Sequence, residues 1–218
     1  MTDDGTIDRV VDPAALDPPE TPRTASSVAG VLLAAGTSTR YGEDNKLLQR
    51  LDGEPIVRHA ARTLVAADLD RVVVVVGHGA DRVREAVADL PVAVVDNPEY
   101  DRGMGTSVRR GVESIDDADA AVFGLGDMPL VAPATVDRLV EAFRAGAGDP
   151  LAASYDGERG NPVLFGRRHF SALAEVDGDT GGRDLLRTAP DAALVATDDP
   201  GVRRDVDTPG DLDALREG

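Results

Sequence analysis

Apolar residues along this chain follow two rhythms that take turns. Val28-Ala29-Gly30-Val31-Leu32-Leu33-Ala34 is a continuous apolar run ending in a Gly/Ser/Thr turn, the mark of a buried strand feeding a loop. From Pro55 to Ala67 the spacing switches to that of a helix, with Ile56, Ala60, Leu64 and Ala67 on one face and Pro55 supplying the fixed φ of a first turn. Arg71-Val72-Val73-Val74-Val75-Val76 is β-branched on both faces, as an interior parallel strand requires. Gly77-His78-Gly79 then leads into a helix carrying Val83, Ala86, Val87 and Leu90. The alternation continues: strands at 92–95 and 120–125, helices at 105–114 and 133–145, strands at 151–154 and 162–165, a helical stretch at 184–188, a strand at 193–196 and a last helix from Pro209.

Strands that alternate with helices imply right-handed crossovers and an α/β fold in three layers: a doubly wound, mostly parallel sheet covered on both sides, with irregular pairing expected near residues 150–165. No repeat and no second domain is evident, so residues 28–218 read as one domain. Residues 1–27 are rich in Asp, Pro and Thr with few periodic apolar positions, and are expected to form a disordered acidic tail. In open sheets of this kind ligands bind outside the carboxyl ends of the strands, which directs attention to residues 35–46, 77–79, 96–107 and 126–131.

The composition narrows the function classes. The 218 residues are 42% hydrophobic, enough for one buried core, and carry a formal net charge of −17 with the carboxylates scattered through helices and turns. With lysine nearly absent, this is the surface of a salt-adapted, halophilic protein: in molar salt the Debye length falls to ~3 Å and self-repulsion is screened. Such a field disfavours nucleic acid and anionic membranes as partners. There is no cysteine, which excludes disulfides and thiolate metal sites. No apolar run approaches the ~20 residues needed to cross a bilayer, and the N-terminus has no signal-peptide pattern, so the expected location is cytoplasmic.

The candidate chemistry sits in those turns. Leu33-Ala34-Ala35-Gly36-Thr37-Ser38-Thr39-Arg40 runs on to Lys46, the one lysine of the chain. Small residues let backbone N–H groups approach an anion, hydroxyls add donors, and Arg40 and Lys46 supply fixed and mobile positive charge. The spacing is neither the dinucleotide fingerprint nor the phosphate loop of kinases and ATPases. Gly126-Asp127-Met128-Pro129 places a carboxylate at a strand end, where it would suit Mg²⁺ or merely bond its own turn. Asp205-Val206-Asp207-Thr208-Pro209 offers a second carboxylate, with Asp207 or Thr208 equally able to cap the helix from Pro209. Gly103, Gly105 and Ser107 fit a backbone that hydrogen-bonds a base or ribose, or an ordinary capped loop. Gly160-Asn161-Pro162 and Asp179-Thr180-Gly181-Gly182-Arg183 mix glycine with donors suited to a second anionic substrate, or to turns. His59 reads as structural and His169 as a surface residue, while His78 has no readable partner. No Gly-X-Ser-X-Gly elbow supports covalent hydrolysis.

From Val28 to Leu215 the chain resembles the molybdenum-cofactor nucleotidyltransferases, a MobA-like superfamily, and most of all their cytidylyltransferase branch. The residues that carry the resemblance are Leu33-Ala34-Ala35-Gly36 through Arg40 and Lys46, Gly126-Asp127-Met128-Pro129, Gly160-Asn161-Pro162-Val163-Leu164-Phe165, Asp179-Thr180-Gly181-Gly182-Arg183 and Asp207-Thr208-Pro209. The guanylyltransferase branch typically reads Ala-Gly-Gly where this chain has Ala34-Ala35-Gly36. Tyr41 stands where the family usually has methionine, and Asn161 where cytidylyltransferases often have histidine.

The resemblance implies a nucleotide-diphospho-sugar-transferase-like, Rossmann-like fold. It also implies attack by an acceptor phosphate on the α-phosphorus of a nucleoside triphosphate, CTP above all, with release of pyrophosphate. In that scheme Arg40, Lys46 and Asp127 are catalytic and Asp127 and Asp207 hold Mg²⁺. Leu33 to Thr39, Gly103, Gly105 and Ser107 bind the nucleotide, and Asn161, Asp179 and Arg183 bind the acceptor. The implied acceptor is the molybdopterin cofactor, and the implied partner is a molybdoenzyme or its maturation factor. A guanylyltransferase, a sugar-, polyol- or lactyl-phosphate transferase, and a catalytically silent nucleotide-binding module remain the alternatives. A polyanionic substrate in so acidic a protein implies a local positive, metal-bound island.

Overall fold

The computed structural model describes residues 7, 9–13, 26–37, 45–179 and 181–217. In chain order its elements are β1 (Val10–Val11), β2 (Val28–Ala34), β3 (Arg50–Leu51), β4 (Glu54–Pro55), α1 (Ile56–Ala66), β5 (Arg71–Val76), α2 (Ala80–Ala86), β6 (Ala93–Asp96), α3 (Met104–Glu113) and β7 (Ala120–Leu125). There follow α4 (Pro133–Arg144), β8 (Leu151–Tyr155), β9 (Glu158–Gly166), α5 (Phe170–Ala174), α6 (Arg183–Thr188), β10 (Ala193–Ala196) and α7 (Pro209–Glu217).

One sheet in the order β1-β10-β8-β9-β7-β2-β5-β6 organises the molecule. Every pairing in it is parallel except those of β9, which runs antiparallel to β7 and β8. The irregularity expected near residues 150–165 is therefore a hairpin, β8–β9, whose register shifts between Ala152 and Ser154. β9 is also longer than its apolar segment, because Glu158 and Arg159 pair with Tyr155 and Ser154 through the backbone whatever their polarity.

Period-two alternation assigns the strand faces. Val28, Leu32 and Ala34 of β2 and Val72, Val74 and Val76 of β5 pack under α1, α2 and α4. Ala29 and Val31 of β2 and Val73 and Val75 of β5 pack with Val108 and Val112 of α3, Phe170 and Leu173 of α5 and Leu186 of α6. The outcome is the three-layer α/β arrangement the sequence implies. A small third cluster joins Leu51, Ile56, Val206 and Leu212, fastening the β3–β4 hairpin to the α7 segment.

Two expectations are corrected. The leader is not without structure in its described part: Val10 and Val11 pair in parallel with Leu194 and Val195, Val11 is buried, and the Leu194 N–H donates to the Arg9 carbonyl at 2.7 Å. Without β1, strand β10 would present an open edge. His169 is not a surface residue: its ring stands edge-on to Phe165 at 5.9 Å between centroids, and Nε2 lies 3.2 Å from Oδ1 of the buried Asp149.

Candidate active site

From β2 the chain winds outward through β5 and β6, then returns to the other side of β2 as β7. The reversal leaves a crevice at the carboxyl ends of β2 and β7, where an α/β sheet binds its ligand. A cavity of about 800 Å³ opens there. The Gly126 N–H donates to the Leu33 carbonyl at 3.0 Å, so the turn after β7 hugs the end of β2 and delivers Asp127 to the cavity. Lys46 arrives on a short 3-10 turn, Lys46–Leu48, capped by the buried Asn45, whose Oδ1 accepts from the Leu47 N–H at 3.0 Å. The Asn45 Nδ2 donates to the His78 carbonyl at 2.9 Å and so ties that turn to the loop after β5.

Asp207 comes from the segment before α7. There Val206 is fully buried and its N–H donates to the Asp127 carbonyl at 2.9 Å, while Asp205 and Asp207 on either side line the cavity. The two readings of this segment resolve into a division of labour. Thr208 caps α7, its Oγ1 accepting from the Asp211 N–H at 3.3 Å, and Asp211 reaches back to accept from the Thr208 and Asp207 N–H groups at 2.6 and 3.0 Å. Asp207 is thereby left to face the crevice.

Lys46 Nζ stands 2.7 Å from Asp127 Oδ2 and 2.7 Å from Asp207 Oδ1. Burial works against the ammonium, but the charges and hydrogen bonds of Asp127 and Asp207 outweigh it and hold the Lys46 pKa above its ordinary value. Asp205 is shifted upward, first by desolvation and then by the negative charges of Asp207 and Asp127. Asp127 Oδ1 is buried and has no hydrogen-bond partner among the described residues. A buried, unpaired carboxylate oxygen is costly, and a divalent cation would satisfy it. Mg²⁺ takes one or two carboxylates and fills its shell with water and phosphate oxygens. Asp127 and Asp207 fit that donor set; among the described residues no group of three or more His, Asp or Glu side chains is arranged to hold a metal on its own.

Of the sequence-predicted residues, Leu33, Ala35, Gly36, Thr37, Lys46, Gly103, Ser107, Asp127, Asp179, Arg183 and Asp207 line this cavity. Ala34 points into the core beneath α1, and Asn161 lines a smaller adjoining pocket. Ser38, Thr39 and Arg40 lie outside the described residues. Gly105 serves a loop contact: its N–H donates to the Gly178 carbonyl at 2.8 Å, and a Cβ there would stand 2.4 Å from the Val176 carbonyl oxygen. Gly103, at φ +104°, belongs to the same contact, since a Cβ on it would meet the Gly178 backbone at 2.7 Å. These glycines press the 97–107 loop against residues 176–179 and so seat Asp179 and Arg183.

Tyr100, Asp101, Arg102 and Met104, within the 96–107 turn that the sequence singles out, also line the cavity, as does Asp205, although the sequence assigns none of them a role. The alternation Asp205-Val206-Asp207 was the legible signal for the last: a buried residue between two that share a face. Among the described residues the lining carries five carboxylates (Asp101, Asp127, Asp179, Asp205, Asp207) against Lys46, Arg102 and Arg183. The described part of the lining thus carries more carboxylates than cations, and Arg40, expected to add positive charge here, lies outside the described residues.

Comparison with known proteins fits this geometry. Residues 30–197 match the MobA-like NTP transferase domain. The chain belongs to that family. As a MobA-like nucleotidyltransferase it is similar to Rv0371c from Mycobacterium tuberculosis H37Rv, with a TM-score of 0.78 and 31% identity across 89% of this chain and 100% of that one. A structure of Rv0371c in complex with manganese matches with a TM-score of 0.76 and 30% identity, over 88% of this chain and 100% of that one. Nicotine blue oxidoreductase from Paenarthrobacter nicotinovorans is 33% identical over 188 residues, 83% of this MobA-like chain and 92% of its own length. The bifunctional protein GlmU of Cupriavidus necator is 38% identical over 138 residues, 63% of this chain but only 29% of GlmU. No helix among the described residues is long and apolar enough to cross a membrane.

Proposed function

We propose that this nucleotidyltransferase joins the nucleoside monophosphate of CTP to the phosphate of a small acceptor, the molybdopterin cofactor, with release of pyrophosphate and dependence on Mg²⁺. The observation that carries the reading is the clasp of Lys46 between Asp127 and Asp207 at the floor of the crevice. An acceptor phosphate is already an anionic nucleophile, so the site needs no strong general base; it needs alignment and relief of repulsion between two polyanions. Asp127 and Asp207 would hold the Mg²⁺, which when bound supplies charge neutralisation at the phosphates. The Lys46 ammonium, on a flexible stem, would turn from the carboxylates to the triphosphate and follow the charge that develops on the departing pyrophosphate. Leu33, Ala35, Gly36 and Thr37 would support the nucleotide, and Asp179, Arg183 and Asn161 the acceptor.

CTP and molybdopterin rest on the resemblance to the cytidylyltransferase branch, carried by Ala34-Ala35-Gly36 where the guanylyltransferases typically read Ala-Gly-Gly. A redox role of the kind named for the nicotine blue relative has no dinucleotide fingerprint here to support it. The test is pyrophosphate release over a matrix of CTP, GTP, UTP and ATP against molybdopterin and sugar, polyol and lactyl phosphates. Release confined to CTP with molybdopterin is the expected result. Release with another pair moves the assignment to that pair, and triphosphate binding without release identifies a silent module.

A further inference from the structure

Adjoining the 800 Å³ crevice is a second, smaller cavity of about 220 Å³, the inner cavity. Leu33, Met104, Leu125, Asp179 and Arg183 line both and form the passage between them. Lys46, Asp127 and Asp207 line only the outer cavity, while Arg159, Asn161, Phe123, Val163 and Phe165 line only the inner one. The inner walls set the aromatic and apolar side chains of Phe123, Val163, Phe165 and Leu173 beside the polar ones of Arg159, Asn161, Asp179 and Arg183, and the space exceeds the ~150 Å³ that admits a benzene ring.

Arg159, on β9, is unusual in this acidic chain. Among the described residues it is the one arginine that is shielded from full exposure yet has no carboxylate within salt-bridge distance. Arg183 likewise has no carboxylate at that distance among the described residues. Burial, and then the positive charges of Arg183 and Arg187, press the Arg159 pKa below its ordinary value. A guanidinium kept under those conditions awaits an anion.

Resting on the nucleotidyltransferase reading, we propose that the inner cavity recognises the acceptor's far end: an aromatic or apolar ring body seated among Phe123, Val163 and Phe165, carrying an anionic group held by Arg159 and Arg183. Because Arg159 and Lys46 line different cavities, that anion is not the phosphate that reacts. The acceptor class is therefore a molecule with a phosphate at one end, a flat body, and a second anionic group at the other. Arg159 becomes the specificity residue for it, a role separate from nucleotide binding.

The probe is 4-fluorophenyl phosphate, a ring with one anion, followed by fluorine NMR against the whole protein. Wild type and Lys46→Met should bind it alike, and Arg159→Met should bind it more weakly by about one to two decades. Arg159→Lys should recover part of the loss, and both 4-fluorophenol and inorganic phosphate should bind wild type more weakly than the aryl phosphate. Arg159→Met should unfold at or above the wild-type temperature, since it removes a half-buried charge. Equal binding by Arg159→Met, loss of binding in Lys46→Met, or inorganic phosphate binding as well as the aryl phosphate would each overturn the proposal. Aryl-phosphate binding that follows this pattern in a protein showing no triphosphate turnover would support the inner site and sink the catalytic reading alone. Turnover with an unchanged acceptor KM in Arg159→Met would do the reverse.

Discussion

Replacing Lys46 by methionine removes an ammonium but keeps a flexible side chain of similar length. In the metal-free protein two charge-assisted hydrogen bonds, at 2.7 Å to Asp127 and 2.7 Å to Asp207, are lost together. Each is worth about 1.5–3 kcal/mol when shielded from water. The two carboxylates are also left facing one another, and like charges a few ångströms apart repel by on the order of 3 kcal/mol at an effective dielectric of about 20. Solvent reduces both figures, because the side chains of Lys46, Asp127 and Asp207 keep 15%, 20% and 35% exposure. A net loss of about 1–3 kcal/mol follows, with about 2–4 °C of Tm for each kcal/mol. The unclasped carboxylate pair should in turn bind Mn²⁺ about a decade more tightly than wild type, and Mn²⁺ should return most of the lost Tm. Differential scanning calorimetry without metal, and electron paramagnetic resonance of free Mn²⁺, read the two effects. If Lys46→Met leaves both the metal-free Tm and the Mn²⁺ affinity unchanged, the three side chains are not one electrostatic unit and the reasoning fails.

Thr208→Ala removes the cap of α7 and should cost about 1 kcal/mol, seen in thermal unfolding. Asp211, held below the usual carboxylate range by the Thr208 hydroxyl and then by the Thr208 and Asp207 N–H groups, should contribute stability above about pH 4 that is lost as pH falls through its lower folded value. The Tm gap between wild type and Asp211→Asn should therefore be widest at neutral pH and close in acid; a gap that widens in acid would reverse the assignment. Gly105→Ala puts a Cβ 2.4 Å from the Val176 carbonyl oxygen, so it should displace the 176–179 loop and raise the acceptor KM several-fold with little change in the triphosphate KM. Deleting residues 1–13 removes β1 and the 2.8 Å Arg138–Asp12 pair and should lower Tm by a few degrees, where a truly idle leader would leave it unchanged.

The strand–helix alternation was legible because β2, β5 and β7 are buried on both faces and cannot hide their composition. β1, β3 and β4 were not, because a two-residue strand has no period. Lys46, Asp127 and Asp207 stood out one at a time as an isolated lysine, a strand-end Asp beside Gly, and an Asp before Thr-Pro. Their meeting depends on Val206 docking on the Asp127 carbonyl, a contact between segments far apart in sequence. The uses of Gly103 and Gly105 were hidden for the same reason: a glycine records that something approaches closely, not whether it is a ligand or another loop. Arg159 gave no signal at all, since its importance lies in having no carboxylate near it, and a sequence does not display the absence of a partner.

The most direct test of the account is single-turnover pyrophosphate release at saturating Mg²⁺, CTP and molybdopterin, wild type against Lys46→Arg. An ordinary surface lysine would accept arginine silently in a chain that uses arginine almost everywhere else. A lysine that must fit between two carboxylates and then follow a phosphate would not, because arginine keeps the charge but changes its shape and reach. The account predicts one pyrophosphate released per nucleotide transferred by wild type, and a rate lower by about one to two decades in Lys46→Arg. Equal rates in the two proteins would contradict it.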